Sequence, residues 1–205
     1  ETSIQETDGV IEIHSRFSIA SPAKQPFLRL EAVWKVDLDG TIFLSIDGNF
    51  DKVFPYLPRF GIGLKLPNDK TDVTYYGYGP YESYSDKHRA SWVDRFDTTV
   101  DDMFEDYVFP QENGSHYNCQ YASVGNLYAK GKKPFSFQAS RYSEKELDEK
   151  AHNFELVPSD GIYVALDYKQ SGIGSNSCGP RLAEKYQIRE EKIEWEISIR
   201  FDNGN

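Results

Sequence analysis

Leu28-Arg29-Leu30-Glu31-Ala32-Val33-Trp34-Lys35-Val36, followed by Asp39-Gly40 and then Ile42-Phe43-Leu44-Ser45-Ile46, decides the fold. Apolar and polar residues alternate with a period of two on both sides of the Asp-Gly pair. That is the repeat of a strand with one buried face and one wet face. Asp-Gly is the residue pair that a type I′ turn favours, because both of its central residues need φ > 0. The stretch predicts a β-hairpin over residues 27–50.

The same period runs outward in both directions. Val10–Phe17 alternates with small slips. Further strands are predicted at Phe60–Leu66, Val73–Tyr78, Ser91–Phe96, Asn118–Val124, Phe135–Ser140, Asn153–Val157, Gly161–Tyr168 and Lys192–Phe201. In the last of these every odd position is apolar from Ile193 to Phe201, as a half-solvated antiparallel strand requires. Only Ser143–His152 reads as a helix. Ser143 stands at the N-cap with Glu146 three residues on, the spacing of a capping box, and Leu147 and Ala151 fall on one face. One short helix among about ten strands predicts an all-β, mainly antiparallel sandwich or barrel. The chain has 205 residues, with no linker tract, low-complexity run or fixed-period repeat. A single domain over 1–205 is the simplest division. A chain of this length buries roughly 70% of its unfolded surface, so it needs neither metal nor disulfide to fold.

Composition removes several function classes. Aromatic residues make up 15% of the chain, which argues against disorder. No apolar run approaches the ~18–20 residues of a membrane helix. The net charge of −10 repels phosphate backbones over most of the surface, so nucleic acid is a poor partner. Cys119 and Cys178 form neither a disulfide framework nor a zinc pattern. The chain opens on Glu1, and its one methionine is Met103, so it reads as a processed or cut piece of something longer. No signal segment precedes Ile4; the compartment stays open, with the cytoplasm favoured.

Motifs for common chemistry are absent: no phosphate loop, no H-E-x-x-H and no G-x-S-x-G. Gly61-Ile62-Gly63 and Gly77-Tyr78-Gly79 lack a third glycine and a following helix, and read as strand ends and turns. The acidic segment Asp94–Asp106 has no EF-hand spacing and reads as a solvated loop. His14, His88, His116 and His152 are scattered; His88 and His116 would need to meet in space to work as acid and base. Trp34 and Trp195 lie among apolar neighbours and read as core; with Trp92 they are also the candidates for stacking on sugar. Asn113-Gly114-Ser115 fits the glycosylation pattern. Two loops stand out by composition. Tyr76–Asp86 is rich in aromatics and turn formers, and Gly172–Pro180 is nine residues of turn chemistry between strands. Loops on a rigid sheet are where binding residues concentrate.

At these loops the chain resembles a known family. Leu57-Pro58-Arg59-Phe60-Gly61, Tyr76–Asp86, Tyr107-Val108-Phe109-Pro110-Gln111-Glu112-Asn113-Gly114, Phe137-Gln138-Ala139-Ser140-Arg141-Tyr142-Ser143 and Gly172–Pro180 occur in the order and at the spacing found in the C-terminal domain of bacterial glycoside hydrolase family two β-galactosidases. In some lactobacilli this region is a separately encoded small subunit. The resemblance spans about Leu57 to Pro180.

The resemblance implies an antiparallel β-supersandwich of the galactose mutarotase type. It implies a parent that hydrolyses terminal β-galactosides such as lactose with retention. The acid/base and nucleophile glutamates would lie in a (β/α)₈ barrel, as would magnesium and sodium, so this chain would carry no catalytic residue and no metal ligand. A barrel of that kind needs ~250 residues of alternating strand and helix, which are not here. The partners implied are that barrel or large subunit and a galactoside. The family domain is longer at its N-terminus, which implies that some opening strands are absent. In the family the loop matching Gly172–Pro180 reaches into the barrel's active site, and some members place a Trp there. This sequence has Cys178 instead, and a thiol offers far less contact area than an indole. Substrate contact would then fall to Asn176, Ser177, Cys178 or backbone groups. Ser83 stands where the family more often has Asn, and the Tyr76–Asp86 loop reads as structural. Two other readings stay open: a free-standing carbohydrate-binding or mutarotase-like protein on the same fold, and a purely structural interaction module. A mutarotase-like site would need a histidine and a carboxylate converging in a cleft. A missing partner would leave an exposed apolar patch.

Overall fold

A computed structural model describes residues 1–22, 24–51, 53–174 and 179–202. Its strands are β1 (Thr2–Thr7), β2 (Val10–Ile19), β3 (Leu28–Val36), β4 (Ile42–Phe50), β5 (Arg59–Pro67), β6 (Asp72–Gly79), β7 (Trp92–Thr99), β8 (His116–Val124), β9 (Leu127–Ser140), β10 (Gly161–Gln170) and β11 (Lys192–Phe201). One helix, α1 (Glu144–Glu149), lies between β9 and β10. Among the described residues every strand pairing is antiparallel, as the alternation predicts. Among the described residues no helix is long and apolar enough to cross a membrane.

The pairing order is β1-β2-β3-β4-β11-β9-β8-β6-β7, with β10 between β9 and β5. β9 makes two layers out of this path. Its first part, Leu127–Gly131, pairs with β11, and its last part, Ser136–Ser140, pairs with β10. Opposite the crossing, β8 shifts register on both sides of Cys119, the bulges by which a strand turns from one layer to the next. One layer is β1-β2-β3-β4-β11, which runs on through the first part of β9 to β8, β6 and β7, and the other is β5-β10, joined to the last part of β9.

The core lies where their inner rows meet. Leu28, Leu30 and Ala32 of β3, Leu44 and Ile46 of β4, and Ile193, Trp195 and Ile197 of β11 alternate inward from the first layer. Ile162, Val164 and Leu166 of β10 and Phe135, Phe137 and Ala139 of β9 answer from the second. Trp195 is buried as expected. Trp34 is half-buried and packs against the core, and Trp92 is exposed on the edge strand β7.

Some local expectations are corrected. The hairpin β3–β4 forms, but its loop is Asp37–Thr41, with Asp37 N donating to Thr41 O at 2.9 Å and Gly40 alone at positive φ. The Asp39 carboxylate accepts from Thr41 N at 2.9 Å, which holds the longer loop in place of a type I′ turn. That turn is instead at Asp8-Gly9, with φ of 52° and 80°, and joins β2 to a strand, β1, that the period did not reveal. Residues 153–157 are not a strand. Asn153–Glu155 is a 3₁₀ turn in which the Glu155 carboxylate accepts from Ala151 N and His152 N, so local caps take the backbone donors a ladder would need. Gly61, Gly63 and Gly77 lie inside β5 and β6 rather than at strand ends or in turns, whereas Gly79 ends β6 as expected. A Cβ on Gly77 would come within 2.5 Å of Cys119 Sγ, and one on Gly79 within 2.2 Å of the Tyr75 hydroxyl, so close packing is what those two positions demand. The helix starts where Ser143 places it, with Glu146 N donating to Ser143 Oγ at 3.0 Å and Leu147 buried. It ends at Glu149, which leaves Ala151 outside it and exposed.

Candidate functional site

The loop Gly172–Pro180 is fixed at its root. Ser171 is buried, and its Oγ donates to Leu57 O at 2.6 Å and accepts from Ile188 N at 3.0 Å. Ser171 N donates to Pro58 O and Gly172 N to Tyr186 O, both at 2.9 Å. Beyond this the Asp86 carboxylate accepts Ile173 N at 3.1 Å and Gly174 N at 2.9 Å. Gly172 is required there, because a Cβ would meet the Asp86 carboxyl carbon at 2.4 Å. Gly174 has a φ of +64°, the left-handed region that glycine enters without cost. Two successive backbone amides on one carboxylate make a charge-assisted clamp, stronger than neutral hydrogen bonds. The loop therefore leaves the sheet in a set direction. Asn176, Ser177 and Cys178, the residues expected to touch substrate, lie outside the described residues.

Asp86 is itself held by the Tyr-rich loop. Tyr84 and Lys87 exchange backbone hydrogen bonds, at 2.7 and 3.1 Å. Ser83 is fully buried: its N donates to Ser115 O, its Oγ donates to Tyr78 O at 3.1 Å, and Tyr117 N donates to that Oγ at 2.9 Å. Buried Glu82 accepts from Lys87 Nζ, the Tyr107 hydroxyl and Gly114 N. These contacts make the Tyr76–Asp86 loop a frame, with Asp86 presented at its end.

A second polar cluster, which sequence reasoning missed, centres on Arg59 at the start of β5. Its guanidinium, 20% exposed, donates to Asp167 at 2.6 and 3.3 Å, to Glu112 at 3.2 Å, to Glu144 at 2.6 Å and to Gln138 at 3.4 and 3.5 Å. Burial works against the arginine's charge, but Asp167, Glu112 and Glu144 more than reverse it and raise its pKa. Burial pushes the Asp167 and Glu112 carboxyls up, and Arg59 pulls both back. The two directions oppose each other across the Arg59–Asp167 contact. A two-point contact with a permanently charged guanidinium favours the ionised carboxylate. Glycoside hydrolysis needs two carboxyl groups flanking the scissile bond. Here the carboxyls converge on a cation, and the cluster ties β5, β9, β10, the Glu112 loop and α1 together.

The histidines and acids are dispersed. His116 is buried, donates from Nδ1 to Tyr78 O at 3.1 Å and stacks on Tyr75 at 4.2 Å; burial lowers its pKa to about 4. His88 donates from Nδ1 to Tyr84 O at 2.8 Å. Each ring is engaged with a backbone carbonyl, so the structure does not bring the two together as acid and base. Asp97, Asp101, Asp102 and Asp106 each have their own neighbour: Thr74, Arg141, Thr99 and Asn153. Among the described residues, no group of three or more His, Cys, Asp or Glu could hold a metal ion. Asn113 is buried, with its side-chain amide donating to Gln111 O at 2.8 Å, so the folded glycosylation pattern is closed to a glycan.

Beside the Arg59 cluster opens a cleft of about 850 Å³ that wraps around β5. Phe17, Ile19, Leu30 and Trp34 wall it on one side, and Phe60 and Leu64 on the other. Phe17 and Ile19 on its wall are exposed to solvent.

Comparison with known proteins sets this geometry in context. The family model described as "Beta galactosidase small chain" matches residues 1–201. A β-galactosidase of Actinobacillus pleuropneumoniae is 41% identical over 98% of this chain, and one of Staphylococcus xylosus 39% over 97%. The chain spans about one fifth of either relative, 20% in each case. Among solved structures, a galactose 1-epimerase from Lactobacillus acidophilus NCFM aligns with a TM-score of 0.55 at 10% identity, over 100% of this chain and 67% of its own. At that identity the likeness is one of fold, and it is the mutarotase-type sandwich that the resemblance implied.

Proposed function

Because this chain belongs to the β-galactosidase small-chain family, we propose that it is the non-catalytic β-sandwich of a longer β-galactosidase that hydrolyses terminal β-galactosides such as lactose. In this reading residues 1–205 are part of a larger C-terminal domain. The acid/base and nucleophile glutamates of a retaining, family-two mechanism belong to a barrel in the remaining four fifths of the protein, and the working compartment is the cytoplasm. That barrel would also hold magnesium and sodium.

The observation that carries the reading is the clamp on the Gly172–Pro180 root. A connection between strands has no need of two backbone amides aimed at one carboxylate and a buried serine locking the strand behind it. A loop preorganised for a partner does, because ordering it beforehand removes an entropy cost from binding. Asn176, Ser177 and Cys178 would then line the substrate pocket opposite the barrel's carboxylates. The test is hydrolysis of a nitrophenyl β-galactoside. The longer polypeptide should turn it over and the 205-residue chain should not; turnover by the purified chain alone overturns the reading.

A further inference from the structure

Asp86 meets the loop root from the tip of a short turn. Tyr84 and Lys87 close that turn through their main chains, with Ser85 and Asp86 between them. The limb that enters it is buried at Glu82, Ser83 and Tyr84. The limb that leaves it runs along the surface, where Lys87, Arg89 and Ala90 are exposed. A turn fastened by one limb can pivot, and a pivot would carry the Asp86 carboxylate away from Ile173 N and Gly174 N. His88 ties the leaving limb only to the turn itself, donating from Nδ1 to Tyr84 O at 2.8 Å. Lys87 ties it to the body of the domain, because Nζ donates to Glu82.

Glu82 is built to anchor. Its side chain is 5% exposed, and a carboxylate so deep is costly unless both oxygens find donors. One oxygen accepts from Lys87 Nζ and the Tyr107 hydroxyl, the other from Gly114 N at 2.9 Å. Lys87 Nζ also donates to the Tyr107 hydroxyl at 3.0 Å. The segment that supplies Tyr107 and Gly114 is itself held by Asn113. That residue is buried, takes Glu105 N on its side-chain oxygen at 3.1 Å, and accepts Gln138 Nε2 on its carbonyl. Glu82 thus fastens the exposed end of the turn to a fixed loop across from it. We propose that Glu82, acting through Lys87, is a positioning residue for substrate binding: it sets the Asp86 carboxylate and, with it, the direction in which the Gly172–Pro180 loop leaves the sheet. The inference rests on that loop lining the substrate pocket, and it adds the residue that aims the loop.

The experiment uses the complete native β-galactosidase carrying Glu82→Gln, which keeps the shape and turns one acceptor into a donor. Hydrogen exchange is read residue by residue over 171–174 by mass spectrometry with fragmentation. Ile173 and Gly174, whose acceptor is Asp86, should exchange about tenfold faster than in the wild type. Ser171 and Gly172, whose acceptors are Pro58 O and Tyr186 O, should be unchanged. KM for a nitrophenyl β-galactoside should rise about threefold to tenfold with kcat held within about twofold, the sign of lost binding. A purely structural role would instead reduce the folded fraction, which lowers apparent kcat and leaves KM alone. A residue that acts through Asp86 costs no more than Asp86 does, so Glu82→Gln added to Asp86→Ala should raise KM no further. Lys87→Met should reproduce the effects and Lys87→Arg restore the wild-type values. The Lys87 side chain is 48% exposed, so this pair decides the matter if Glu82→Gln does not fold.

The inference is overturned if Ile173 and Gly174 exchange as in the wild type, if all four amides speed up together, or if the KM effects of Glu82→Gln and Asp86→Ala multiply. An active enzyme with selective exchange and unchanged KM also overturns it, since the aim of the loop would then not matter to substrate. Selective exchange in a protein that hydrolyses no β-galactoside would support the positioning of the loop and sink the proposed function instead.

Discussion

Replacing Arg59 by methionine removes the guanidinium on which three carboxylates converge. Glu144 has a side chain 73% exposed, and water can take over for the lost contact. Asp167 has only 4% of its side chain exposed and is left with a charge that nothing nearby offsets. Breaking a buried pair by removing one partner costs about 3–5 kcal/mol. The open side of this cluster places the expected loss near the lower figure, about 3 kcal/mol. For a domain of this size that is a fall in Tm of about 6–12 °C. The pH dependence carries a definite sign. Burial already raises the Asp167 carboxyl, and Arg59 is the group that pulls it down. Without Arg59 its folded pKa lies further above the unfolded value, so the folded state binds more protons in that window. The stability of Arg59→Met should therefore fall as pH rises from the ordinary carboxylate range, and its deficit against the wild type should be smaller at pH 5 than at pH 8. Adding Asp167→Leu should recover a large part of the loss, since an apolar pair is often as stable as a buried ionic one. Urea unfolding followed by circular dichroism at the two pH values measures all three. A deficit below about 1 kcal/mol, a deficit equal at both pH values, or a double variant no better than the single would refute the assignment of the cost to an orphaned Asp167 charge.

Asp86→Ala in the longer polypeptide should raise KM for a nitrophenyl β-galactoside about tenfold, the equivalent of one hydrogen bond to a charged group; Asp86→Asn, which keeps one acceptor, should restore part of it, and an unchanged KM would remove the clamp from the mechanism. Gly77→Ala should cost about 1–3 kcal/mol in urea titration, because the new Cβ meets Cys119 backbone at 2.9 Å as well as its sulfur. His116, with a folded pKa of about 4 against an unfolded ~6.5, should show no imidazole titration by NMR between pH 7.5 and 5. Its depressed value means that stability falls on acidification from pH ~6.5 to ~4, by about 3 kcal/mol, a slope that His116→Gln should lack.

What the sequence made legible was local. Alternation exposed β3, β4 and β11, because each has one buried face and one wet face. It hid the first half of β9, where Tyr128, Lys130 and Lys132 dilute the pattern and Gly131 interrupts it. The Asp-Gly pair occurs four times, at residues 8, 39, 47 and 160; the type I′ turn belongs to Asp8-Gly9, where the flanking strand is wholly exposed and its alternation therefore has little burial to report. Residues 153–157 mimic a strand in composition, but pairing is a tertiary event, and Glu155 captured the donors locally. The candidate site divides in the same way. The glycines of the 172–174 root were conspicuous because backbone shape is written in residue type. Asp86 and Arg59 were not, since their partners stand 87 and 88 residues away in one case and up to 108 in the other, and no local window links them. Asp86 closes the Tyr-rich stretch, the one sign that could have drawn attention to it.

The position of β11 bears on how such a protein is made. β11, the last of the described strands, is inserted between β4 and β9, two strands translated far apart, so the first layer stays in two pieces until residue 201 has left the ribosome. Until then the finished β1–β4 meander carries a bare flank at β4 with an apolar face behind it, the kind of intermediate that aggregates when synthesis stalls. Truncation before Lys192, which removes β11, should therefore harm yield of soluble protein far more than its length suggests, and chaperone dependence should concentrate in the interval between synthesis of β4 and arrival of β11.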